Sequence, residues 1–152
     1  HSDGDSIVFF QRSNVIATGA ILSTISYPVI DLERGGSING VIEALNTIID
    51  ITIPKRHQEG GTMVIPGNGR ICDEYDVVIY RDMVTIIRDR VQDLINQGKS
   101  LEEVLDANIT MDYDGRYGAE KGEWTTRQFI EAVYKSLKHS ERATSESAES
   151  SR

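Results

Sequence analysis

Apolar residues in this chain fall into short β-branched runs near the start and long helical repeats later, separated by polar stretches. Ser6-Ile7-Val8-Phe9-Phe10 predicts a strand, Gln11-Arg12-Ser13-Asn14 a turn, and residues 15–18 a second strand, so the pair reads as a hairpin. Residues 62–65 predict a further strand, apolar enough to be buried in a sheet. Ser37 can cap a helix over 38–49, with Val41, Ile42, Leu45, Ile48 and Ile49 on one face. From 73 to 97 the residues Val77, Tyr80, Val84, Ile87, Val91, Leu94 and Ile95 recur at helical spacing, and Gly98 supplies the stop of what should be the longest helix. Ser100 with Glu103 forms a capping-box pattern opening a short helix over 101–107. Thr125 can cap a last helix that buries Phe129, Ile130, Val133, Tyr134 and Leu137.

The remaining segments read as connections. Residues 54–61 are charged and end in glycine, which predicts a loop. Residues 111–118, Met-Asp-Tyr-Asp-Gly-Arg-Tyr-Gly, are aromatic, acidic and glycine-rich and read either as a substrate loop or, as favoured here, as a loop that covers the sheet edge and positions the last helix, with Trp124 anchored against that helix. Beyond Lys138 the side chains are too polar to offset the entropy of ordering, so 139–152 is expected to be a disordered tail. The expected organisation is one domain over 1–138 followed by that tail.

Composition narrows the function classes. At 152 residues and 39% hydrophobic content the chain suffices for one real core. With 24 acidic against 16 basic residues it carries a formal charge of −8, which argues against a nucleic-acid partner. No apolar run approaches the roughly 18 residues of a membrane span, and no secretory leader pattern stands at the start, so a soluble chain with no membrane partner is expected and the compartment is left open. The single cysteine, Cys72, excludes an intrachain disulfide and reads as a packed thiol near a helix start.

Candidate ionisable constellations have simple structural readings. Asp3 and Asp5 flank Gly4 before a strand, the chemistry of a turn in which carboxylates accept backbone N–H bonds. Asp73-Glu74-Tyr75-Asp76 opens a helix, where the macrodipole favours negative charge. His57 and His139 lie in a charged loop and near the polar tail, poorly placed to complete a copper site begun by the amine and ring of His1.

Three motifs nevertheless stand in an ordered series. They are His1-Ser2-Asp3-Gly4-Asp5-Ser6, Val15-Ile16-Ala17-Thr18-Gly19-Ala20, and Met63-Val64-Ile65-Pro66-Gly67-Asn68-Gly69. In order and spacing they resemble the C-terminal half of the metallo-β-lactamase fold hydrolases, whose corresponding motifs are His-Thr-Asp-Gly-Asp-Ser, a strand ending Thr-Gly-Asp, and an apolar strand followed by Pro-Gly-His-Gly. The resemblance continues through Tyr27-Pro28, Ile30-Asp31-Leu32 and Gly35-Gly36-Ser37 into the helical region, covering about residues 1–138.

The resemblance implies an α/β fold, half of an αββα sandwich: one small mixed sheet flanked by helices. It also implies where a dinuclear zinc site would stand. The family's early His-x-His-x-Asp-His motif is absent, Ala20 occupies the carboxylate position, Asn68 occupies the late imidazole position, and His1 alone keeps a ligand residue. Alanine offers no donor and an amide is a poor zinc ligand, so no metal-activated water is expected and no cofactor is assigned as the chain stands. In a half-sandwich the sheet face normally buried against the other half is bare. Leaving about 800 Å² of apolar surface there would cost on the order of 20 kcal/mol as an upper figure. The expected function is therefore a degenerate half-domain with no activity of its own, a self-associating scaffold or interaction module. Its partner is a second copy in a homodimer, or a separate chain supplying the N-terminal half. Two other readings stay open: the C-terminal part of a zinc-dependent hydrolase of lactams, lactones, thioesters or related esters, and a metal-free small-molecule binding protein using the vacated cleft.

Overall fold

The computed structural model describes residues 1–2, 4–52 and 60–150. Asp3, His57 and most of the loop expected over 54–61 lie outside the described residues. The described residues form a mixed α/β fold of a three-stranded sheet and five α-helices in the order β1 (Val8–Phe10), β2 (Val15–Ser23), α1 (Ile38–Ile51), β3 (Met63–Asn68), α2 (Glu74–Asn96), α3 (Leu101–Asp106), α4 (Met111–Tyr117) and α5 (Thr126–Glu149). A short 3-10 turn, Leu32–Arg34, precedes α1.

The sheet order is β1-β2-β3, with β1 antiparallel and β3 parallel to the central β2. The expected hairpin turns at Asn14, whose φ of 52° lies in the left-handed region that asparagine tolerates better than most residues. Its side chain also ties the hairpin to β3: Asn14 Nδ2 donates to the Gly61 carbonyl at 3.0 Å, and Thr62 Oγ1 donates to Asn14 Oδ1 at 2.8 Å. Parallel pairing of β2 with β3 needs a long crossover, which α1 supplies. The second strand continues past the expected residue 18, because the register shifts around Gly19 and Ile21 and Leu22 beyond it are buried.

Alternation along the strands separates two faces. Ile16, Thr18 and Val64 point into the core, where Val41, Leu45 and Ile48 of α1 meet Val77, Val84, Ile87 and Val91 of α2 and Phe129, Val133 and Leu137 of α5. Ser37, Asp73, Ser100 and Thr125 are N-caps, each accepting a backbone N–H of the first turn; the last three form full capping boxes. Beneath the sheet's C-terminal end, the rings of Tyr27 and Phe129 stack with centroids 4.6 Å apart, and Tyr117 packs against Tyr27 and Tyr80 at 5.9 and 5.7 Å.

Two expected connections are helical. Residues 111–117 form α4, not a loop: Tyr113 and Tyr117, one turn apart, face inward, and Asp112 and Asp114 lie in the first turn, where the dipole favours them. Residues 139–149, expected to be disordered, continue α5, which at 24 residues is one longer than α2. Hydroxyls there bond back to carbonyls one turn earlier, Ser140 to Ser136, Thr144 to Ser140 and Ser145 to Glu141, so polarity is met within the helix. Trp124 is half-buried against the core and borders α5 beside Gln128 and Glu131. Among the described residues no helix is long and apolar enough to cross a membrane.

Candidate functional site

Parallel pairing carries the ends of β2 and β3 to the same edge of the molecule, with Gly19 opposite Pro66 and Ser23 opposite Asn68. Ala20 and Asn68 therefore line one cleft of about 370 Å³, together with Leu22, Ser23, Ser26, Tyr27 and Val29. The glycines of this motif are explained by packing. A Cβ on Gly67 would fall 2.4 Å from the Gly19 carbonyl oxygen, and one on Gly69, whose φ is 99°, would fall 1.8 Å from Thr24 Oγ1. Backbone bonds close the same corner, with Thr24 N donating to the Asn68 carbonyl at 3.1 Å and Arg70 N to Thr24 Oγ1 at 3.1 Å.

The cleft's polar groups bond mainly to one another. Ser23 Oγ accepts from Ile25 N, Ser26 N and Ser26 Oγ at 2.9–3.2 Å. Tyr27 donates its hydroxyl to Asp114 at 2.7 Å, and burial first, then that carboxylate, holds its ionisation far above the ordinary tyrosine range. The lining carries no charged side chain.

His1 does not join Ala20 and Asn68. Its ring lies over the first turn of α1, where a Cβ on Gly40 would fall 2.6 Å from Nε2, and it borders a separate cavity with Ser37, Asn39 and Glu43. His1 Nδ1 stands 3.2 Å from Asp5 Oδ2 without hydrogen-bond alignment. The His1 amine donates to the Val29 carbonyl, and the His1 carbonyl accepts from Asp31 N at 2.8 Å. Asp5 also accepts from the backbone and hydroxyl of Ser2, at 2.9 and 3.1 Å, which is turn chemistry. Among the described residues no group of three or more His, Cys, Asp and Glu side chains is arranged to hold a metal ion.

The helix-opening acids are likewise engaged. Asp73 and Asp76 exchange backbone bonds at 3.1 Å, and Arg70 makes a two-pronged contact with Asp76 that holds its carboxyl below the usual range. Cys72 is buried, its Sγ 3.3 Å from the Arg70 carbonyl, and burial pushes the thiol up to about 11. Sequence reasoning missed a second cavity of about 500 Å³ between α4 and the start of α5, lined by Thr110, Asp114, Thr126 and Arg127 together with Leu105 and Ile130. Of its lining, the sequence marked Asp114 and Gly118, within the stretch 111–118, and Thr125, as a helix cap.

The open face of the sheet is the other candidate site. The register sets Val8, Ala17 and Ile65 side by side in one row and Phe10, Val15 and Met63 in the next. Ile71 extends the first row, since it precedes Cys72, which bridges antiparallel to Val64 and points into the core. Val8, Phe10, Met63, Ile65 and Ile71 are 48, 52, 46, 41 and 56% exposed. Taking roughly 200 Å² for a fully exposed large apolar residue, they present on the order of 500 Å², less than the 800 Å² first reckoned and near the upper size of patches on monomeric proteins. No protein-family model matches this chain, and no curated protein matches it at a significant level of sequence similarity.

Proposed function

We propose that this chain is a degenerate metallo-β-lactamase-like half-domain without metal chemistry, acting as a scaffold or interaction module through its open sheet face. The observation that carries this reading is the meeting of Ala20 and Asn68 in one uncharged cleft, at the two positions where the resembled family has a carboxylate and an imidazole. A zinc ion does not fit these residues: alanine has no donor atom, the amide is a weak one, and the nearest retained ligand type, His1, lies against Gly40 beside a different cavity. Without bound metal no water is brought to a pKa near neutrality, so no hydrolytic step is derived.

The half-sandwich assignment draws support from a sheet with helices on one face and an apolar row pattern on the other. Completion into a hydrolase by a separate N-terminal half requires His1 at the cleft, which is not where its ring lies. A small-molecule role would call for convergent free polar groups, and the Ser23, Ser26 and Tyr27 hydroxyls are bonded within the protein. Elemental analysis of the dialysed protein after incubation with excess zinc is the direct test. A value near zero per chain is expected; a stoichiometric value would overturn the metal-free reading.

A further inference from the structure

We infer that Asn68 is a site of spontaneous deamidation, which turns its side-chain amide into a carboxylate and so charges the cleft between the ends of β2 and β3.

Asparagine followed by glycine is the dipeptide most open to this chemistry. Glycine has no Cβ to obstruct the approach of its backbone nitrogen to the preceding side chain, and it can take up the conformations that approach requires. The deprotonated Gly69 nitrogen attacks Asn68 Cγ, the new C–N bond closes a cyclic imide, and the Cγ–Nδ2 bond breaks with release of ammonia. Water then opens the imide. Hydrolysis at one carbonyl leaves aspartate at this position, and hydrolysis at the other leaves isoaspartate, with the main chain running through the former side chain. Either route takes up one water and loses one ammonia.

The sequence holds two Asn-Gly pairs, Asn39-Gly40 and Asn68-Gly69, and the fold treats them differently. Asn39 and Gly40 lie in the first turn of α1 between the buried Ile38 and Val41. There Gly40 N donates to Ser37 Oγ at 2.9 Å, Asn39 Oδ1 accepts from Arg88 at 3.1 Å, and the His1 ring covers Gly40. The attacking nitrogen is thus occupied, its target amide is held by α2, and the helical backbone fixes the distance between them. Asn68 ends β3 and Gly69 follows it, both exposed. Among the described residues neither the Asn68 side-chain amide nor the Gly69 N–H has a hydrogen-bond partner. Two bonds to Thr24 tie this corner, Thr24 N to the Asn68 carbonyl and Arg70 N to Thr24 Oγ1, both at 3.1 Å. A strand end held in this way opens more readily than a helical turn packed on the core.

Either product changes the cleft. A carboxylate replaces an amide in a lining that carries no charged side chain. Isoaspartate also adds a carbon to the main chain beside Gly67, where a single Cβ would already fall 2.4 Å from the Gly19 carbonyl oxygen. That product is expected to part the ends of β2 and β3.

Ageing the full chain in mildly alkaline buffer, followed by tryptic mapping, tests this. Cleavage after Arg34, Lys55, Arg56 and Arg70 places the two pairs in separate peptides, 35–55 and 57–70. The mass gain from exchanging NH2 for OH is expected to accumulate in 57–70 roughly tenfold faster or more than in 35–55 for the native protein, and at rates within about threefold of each other in denaturant. Asn68→Gln is expected to remove the native-state gain from 57–70, and enzymatic methylation of isoaspartyl groups should fall with it. Comparable native rates in the two peptides, a gain confined to 35–55, or a 57–70 peptide that stays unconverted in the native protein while converting in denaturant would overturn the inference.

Discussion

At Gly67 a single methyl group decides whether β3 can lie against β2. The added Cβ would stand 2.4 Å from the Gly19 carbonyl oxygen and 3.0 Å from Ala20 N, both backbone atoms that cannot rotate away. Gly67→Ala is therefore expected to lower unfolding stability by about 1–3 kcal/mol in urea melts, with no change in zinc content. Cys72 gives a second expectation, in pH. Its thiol is raised from 9.0 to about 11 by burial, with the Asp76 carboxylate adding to the effect. The neutral thiol is thus favoured in the folded state: its contribution is fully present below pH 9 and is lost as pH rises through 9 towards 11. Buried tyrosines fall off in a similar range, so the informative quantity is the difference from Cys72→Ala. The stability of the parent should decline more steeply between pH 9 and 11 than that of the variant.

Among the elements, stability is concentrated where caps and core faces coincide. Thr125 caps α5 at the point where Phe129 and Val133 enter the core, so Thr125→Ala is expected to cost about 1 kcal/mol, read from the midpoint of thermal or urea unfolding. The far end of the same helix is different: residues 142–150 are all exposed. Truncation after Glu141 should change stability by no more than about 0.5 kcal/mol while reducing the helical dichroism signal. This contrast also explains what the sequence made legible. The helix α1 and the first part of α5 were readable because an apolar stripe and a capping residue mark them together, α2 from its stripe and the Gly98 stop, α3 from its capping-box pattern, and the hairpin because β-branched runs flank a polar turn. The continuation of α5 carries no apolar stripe and depends on hydroxyl back-bonds that composition does not display. In α4 a central Gly115 masks the one-turn spacing of Tyr113 and Tyr117. The meeting of Ala20 with Asn68 could be read from motif order, whereas the seat of His1 over Gly40 depends on the path of the chain start in three dimensions.

For the whole molecule, the arrangement of charge and apolar surface sets a sign that distinguishes kinds of association. Each copy carries a formal charge of −8, yet the two rows on the sheet face contribute none of it. Bringing two copies together therefore adds long-range repulsion without any compensating ion pairs in the apolar centre of the contact. Added salt screens that repulsion, the screening length falling from about 30 Å at 0.01 M to about 10 Å at 0.1 M, while burial of the apolar rows is little affected. A dimer formed on this face should consequently tighten as sodium chloride rises from 10 to 150 mM, by roughly two- to tenfold in dissociation constant. An interface built on complementary charges would weaken over the same range, because screening would remove its attraction. Sedimentation equilibrium at the two salt concentrations separates these cases. Tightening supports burial of the uncharged sheet face, and weakening would assign the contact to the charged helical surface instead.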